Sequence, residues 1–169
     1  MPAESQLRFC LLLAVLLILR RVRLPARVEI PLGVALFLAT LAGAANWYRA
    51  FGWLDWVAHT VVPALACLAF CHHRSVRLAS RSAEPATRRV LAVVAISIGF
   101  GLAIGTVWEM YEWLSANWFS VRTISIDGPD TIDDLTATAC GSALAGAWFA
   151  RVELHRRRGR LRAAGTVDL

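Results

Sequence analysis

The chain has 169 residues, enough for one domain, and 57% of them are hydrophobic, with a mean hydropathy of +0.54. A soluble domain averages about 45–50% apolar; here the apolar residues come in blocks separated by arginine clusters, the layout of a polytopic membrane protein rather than of amphipathic helices around a soluble core. The net charge is +6, and all 18 basic residues are arginine; because they flank the apolar blocks, they read as topology signals, and nucleic acid is not expected as a partner.

The first apolar run is "FCLLLAVLLIL", residues 9–19. It is short against the roughly 20 residues a helical span needs, so a span over 5–19 carries Arg8 near an interface. "RRVR" follows, with no small-residue cleavage site, so the run reads as an uncleaved anchor. A second span is expected over 28–45, with Pro31 in its first turn, where proline is tolerated. The third, 53–71, reads "WLDWVAHTVVPALACLAFC", and Pro63 in its middle can kink it. The fourth covers 90–114 and the fifth 131–150, followed by a basic tail, 151–169. The expected organisation is a single transmembrane domain, 1–150, with that tail behind it.

Loops 20–27 and 72–89 and the tail hold 15 arginines, and the alternate side holds only Arg8, Arg49 and Arg122. The positive-inside rule then places the N-terminus outside and the C-terminus in the cytoplasm, with five spans. Trp47, Trp53, Trp56, Trp108, Trp113 and Trp118 fall at the outer ends, with Tyr48 and Tyr111, as an interfacial belt would. The fold class is therefore an all-α membrane bundle, a multi-pass protein of the cell's inner membrane.

Given this topology, the acids gather at one depth. Asp55 and His59 are four apart, on one face of the third span. Glu109 and Glu112 share a face near the outer end of the fourth, and Asp130, Asp133 and Asp134 open the fifth, preceded by Asp127. Each group has a structural explanation: "DTIDDL" suits a helix N-terminus, with Thr131-x-x-Asp134 as a capping box, and glutamates near a span end can snorkel. Neither accounts for Asp55 with His59, since ionisable groups inside a span cost about 2.5–3.5 kcal/mol at its centre. So many carboxylates repel one another unless a cation, protons or Arg122 neutralises them. A metal-binding or catalytic site, a proton-sharing polar cluster and plain capping all remain open at this point. Carboxylates with one imidazole suit Mg, Mn, Zn or Fe without choosing among them.

Gly101-x-x-x-Gly105 and Ala137-x-x-x-Gly141-x-x-x-Ala145 would let helices approach closely. Cys10, Cys67, Cys71 and Cys140 are scattered through apolar segments, so they read as small buried hydrophobes, not a disulfide framework. "CLAFCHH", residues 67–73, lacks a usual zinc spacing.

"WLDWVAH", "WEMYEW" and "DTIDDLTATACG" together resemble the small membrane proteins of the YjdF type and, more distantly, the VanZ-like group. The shared pattern is D-x3-H, then a glutamate-led pair, then D-x3-D-x6-G, which falls here on Asp55, His59, Glu109, Glu112, Asp130, Asp134 and Gly141. The likeness covers about residues 46–150. VanZ-like chains often carry Gln at the place of Glu112 and Asn at that of Thr138, so the YjdF-type likeness is the nearer.

The expected function is that of a metal-dependent enzyme at the outer leaflet, acting on a lipid or lipid-linked envelope substrate. Asp55, His59, Glu109 and Asp134 would hold a divalent cation, Glu112 or Asp130 would act as base, and Arg122 would bind an anion. The alternatives are an ion- or proton-coupled transporter, which calls for a charge ladder through the inner half, and a membrane scaffold without catalysis. Substrate, reaction and oligomeric state are not encoded in these patterns.

Overall fold

A computed structural model describes residues 3–78, 85–118 and 128–165. Its elements are all helices: α1 (Ala3–Val22), α2 (Ala26–Ala44), α3 (Trp47–Ala50), α4 (Trp53–Leu78), α5 (Ala86–Trp118) and α6 (Gly128–Gly165). The five long helices coincide with the five apolar segments and overrun most of their ends, and α6 continues unbroken through the basic stretch to Gly165.

Local chemistry sets the turns. Pro25 occupies the N-cap of α2 with φ −65° and ψ 143°, the extended backbone that a proline readily adopts. Because α2 begins at Ala26, Pro31 lies inside the helix rather than in its first turn. It is exposed there, and its missing N–H leaves the Arg27 carbonyl without an intrahelical donor. At the other end Asn46 takes a left-handed φ of 59°, which its short polar side chain tolerates. The chain then turns into α3, whose Tyr48 is buried and donates its hydroxyl to the Ala39 carbonyl at 2.9 Å.

In the bundle, α6 packs along both α4 and α5, α2 lies on α4, and α1 lies on α2. Small residues permit the close approach. A Cβ on Gly141 would run into the backbone carbonyl of Thr60, and one on Gly101 would meet the Ser142 side chain. One on Gly105 would lie 3.1 Å from the Thr138 methyl, and one on Gly146 would come within 2.6 Å of Ser97 Oγ. Both small-residue spacings read from the sequence therefore sit at helix contacts.

The interior is unusually polar. Ser97, Thr138, Ser142, Asp134 and His59 are buried, while Leu13, Leu17, Ile18, Val107 and Leu144 face outward. This inverts the distribution of a water-soluble protein and suits an apolar solvent. Leu24 of the α1–α2 turn, Leu32 of α2 and Ala69 of α4 form an apolar cluster, with Leu19 and Val22 of α1 packed against it, at the end away from the acid–histidine cluster. Cys67 donates to the Ser97 carbonyl at 3.2 Å and Cys71 Sγ lies 3.4 Å from Ser97 Oγ. All four cysteines are free; Cys67 and Cys71 are buried as expected of small hydrophobes, whereas Cys10 and Cys140 are exposed.

Among the described residues, three stretches are long and apolar enough to cross a membrane: Ala26–Ala44, Trp53–His73 and Ala86–Trp118. The first and fifth expected spans, α1 and α6, do not meet that standard by composition. In α6 the reason is visible: Asp134, Thr138 and Ser142 occupy its buried face. Their polarity lowers the helix's hydropathy although they are turned into the bundle.

Candidate functional site

The i, i+4 spacing on α4 sets Asp55 and His59 on one face, and the bundle brings Glu109 of α5 and Asp134 of α6 against the same imidazole. His59 Nε2 lies 3.7 Å from Asp55 Oδ1, 3.8 Å from Glu109 Oε1 and 3.8 Å from Asp134 Oδ2. All four side chains are nearly out of solvent, His59 at 4% and Asp134 at 2% exposure. These separations are too long for hydrogen bonds, which fall at about 2.7–3.2 Å. They are close to the roughly 3.4 Å that separates two ligands of one tetrahedral ion with bonds near 2.1 Å.

The polar accounting points the same way. His59 Nε2, Glu109 Oε1, Glu112 Oε1 and Asp134 Oδ1 are buried with no hydrogen-bond partner among the described residues. An unmet buried polar atom costs about 1–3 kcal/mol, and two of these, His59 Nε2 and Glu109 Oε1, face each other at 3.8 Å with neither satisfied. Two sets share His59: within Asp55–His59–Asp134, and separately within His59–Glu109–Glu112, the ligand atoms lie within 4.8 Å of one another, so either set is close enough to hold an ion.

Further contacts hold these side chains in place. Pro63 has no N–H, so the carbonyl of His59, four residues back, loses its intrahelical donor. The Thr138 hydroxyl donates to that carbonyl at 3.1 Å from a fully buried position on α6. The proline thus does more than bend α4: it frees a backbone acceptor directly beneath the imidazole, and α6 engages it. Thr131 does not open α6, which begins at Gly128; it lies within the helix and donates to Glu109 Oε2 at 2.9 Å. The capping box expected at Thr131 is replaced by a bond between helices, made possible because α6 starts three residues earlier.

Of the remaining expected residues, Glu112 is buried and Asp130 is half-buried in the first turn of α6. Asp133 points to the exterior. Arg122 and Asp127 lie outside the described residues. Arg8, expected near an interface of the first span, lies inside the bundle instead. It is 6% exposed, its guanidinium lies 5.9 Å from the centroid of the Tyr111 ring, and it is within electrostatic reach of Asp55 and Glu112. Ser5, Arg8 and Leu12, the buried residues among those of α1 whose burial is described, form an i, i+3, i+7 stripe.

Residues 2–155 match the family described as "Predicted membrane protein (DUF2238)", the YjdF family, and the chain belongs to it. The more distant VanZ-like resemblance finds no support. No curated protein and no solved structure matches the chain.

Proposed function

We propose that this member of the family is a five-span protein of the inner membrane, N-terminus out, whose buried acid–histidine cluster is a divalent-cation centre of an enzyme acting on a lipid or lipid-linked substrate at the outer leaflet. The observation that carries the reading is the convergence of three carboxylates on His59 Nε2 at 3.7–3.8 Å, with buried donor atoms left without partners. Asp55, His59, Glu109 and Asp134 are the ligands. Glu112 lies beside them as the base, with Asp130 as the other candidate for that role. A bound cation would activate water or polarise a phosphoryl or carbonyl oxygen of the substrate.

Five spans are supported by the burial pattern. Arg8 and Ser5 turn inward on α1 while Leu11, Leu13, Leu17 and Ile18 turn outward, and α6 exposes Ile132, Leu144 and Trp148. Both helices therefore turn apolar side chains outward although neither meets the composition standard of a span. A transporter is less favoured. Past His59 the α4–α5–α6 contact is lined by Cys67, Cys71, Ser97 and Ser142, with no buried charge among the described residues to carry an ion inward.

Metal analysis of the purified protein beside His59→Ala and Asp134→Asn variants tests the proposal. Stoichiometric divalent metal is expected in the parent, with affinity lower by at least about tenfold in each variant. A parent that neither retains nor binds Mg, Mn, Zn or Fe, with both variants as stable and as active in cells, would sink it.

A further inference from the structure

Resting on the cation centre just proposed, we infer that Arg8 belongs to the site as its fixed countercharge and sets how tightly the acids hold a divalent cation. With a metal bound and all of them ionised, the three carboxylates around His59, with Glu112 and Asp130 beside them, would carry five negative charges against the two of a divalent ion. The buried cation beside them comes from another helix, α1, which contributes no ligand. Its location is specifically built. The guanidinium lies over the Tyr111 ring of α5 at 5.9 Å from the centroid, a cation–π arrangement. It also presses on Gly43 of α2 so closely that a Cβ there would collide with it, and the same glycine backs onto Tyr48. That place puts the guanidinium next to Tyr111, the chain neighbour of Glu112 on α5, and within electrostatic range of Asp55 on α4 and Glu112. A guanidinium keeps its charge at any physiological pH, so unlike a proton it cannot be displaced by the incoming metal. Its repulsion of that metal is permanent. Arg8 is therefore a positioning residue: it makes the metal-free cluster tolerable and lowers the affinity of the loaded one.

The test is Mn²⁺ binding by titration calorimetry at pH 8 on detergent-purified full-length parent, Arg8→Lys, Arg8→Gln and Gly43→Ala, with thermal unfolding recorded with and without Mn²⁺. Arg8→Gln is expected to bind Mn²⁺ at least tenfold more tightly, to unfold at a lower temperature without metal, and to recover with it. Arg8→Lys keeps the charge and should stay within about threefold of the parent, as a Coulombic effect of the same sign and similar distance requires. Gly43→Ala retains the arginine but displaces it, and should shift affinity in the direction of Arg8→Gln; it also serves if that variant does not fold. Unchanged or weaker binding in folded Arg8→Gln and Gly43→Ala, with the parent binding Mn²⁺, overturns the role of Arg8 and leaves the cation centre standing. A parent that binds no Mn²⁺, Zn²⁺, Mg²⁺ or Fe²⁺ overturns both.

Discussion

At His59 the side chain and the backbone are held by different partners. The imidazole faces three carboxylates, while its carbonyl, freed by Pro63, accepts from Thr138 at 3.1 Å. Thr138→Val keeps the shape and removes the donor. It should destabilise the protein by about 0.6–1.7 kcal/mol, the range for such bonds between membrane helices, and weaken cation binding several-fold by loosening the imidazole. Pro63→Ala restores an N–H that can reach the same carbonyl, so the double variant should recover part of the loss. Thermal unfolding and Mn²⁺ titration of the four-member cycle measure the coupling. Asp55 with His59 was legible in the sequence because ionisable pairs inside a span are costly. The Thr131 bond to Glu109 and the burial of Arg8 were not, because each depends on how one helix is rotated against another.

Between elements, glycine decides how close the helices come. The Cβ of Gly141→Ala would meet the backbone carbonyl of Thr60, which cannot rotate away, so α6 must back off from α4. A cost of about 1–3 kcal/mol is expected, as for overpacking in general, together with weaker cation binding as Asp134 withdraws from His59. Gly101→Ala instead meets the Ser142 side chain, and Ser142→Gly should rescue it. Gly99 has open space around its Cβ position, so Gly99→Ala should be neutral or stabilising by up to about 1 kcal/mol through helix propensity. Thermal unfolding of the set in one detergent separates these cases. The small-residue spacings were readable from the sequence, but not which neighbour each would touch.

For the whole molecule, the arginine distribution predicts topology and the cluster predicts linkage. Reporter fusions after Arg49, Ser82 and Arg122 should give outer, cytoplasmic and outer signals respectively. Cytoplasmic signals at the first and last would remove the outer-leaflet site. If a cation occupies the cluster, chelation must lower the unfolding temperature, since a ligand at a hundred times its Kd contributes about 2.7 kcal/mol to the folded state. The effect should vanish in His59→Ala, where the ligand set is incomplete.

Composition and the arginine clusters by themselves determined that this is an all-helical membrane protein, because hydropathy and flanking charge act over whole segments. That Asp55, Glu109 and Asp134 share one level of the bundle also followed from the sequence, since position along a helix converts directly into height. Only the tertiary structure decided that Asp134 meets His59 at 3.8 Å, that Thr131 bonds Glu109, and that Arg8 lies inside. Those outcomes depend on the rotation and closeness of α1, α4, α5 and α6. Glycines, a proline and a handful of buried hydroxyls set that rotation, and no single-helix pattern contains it.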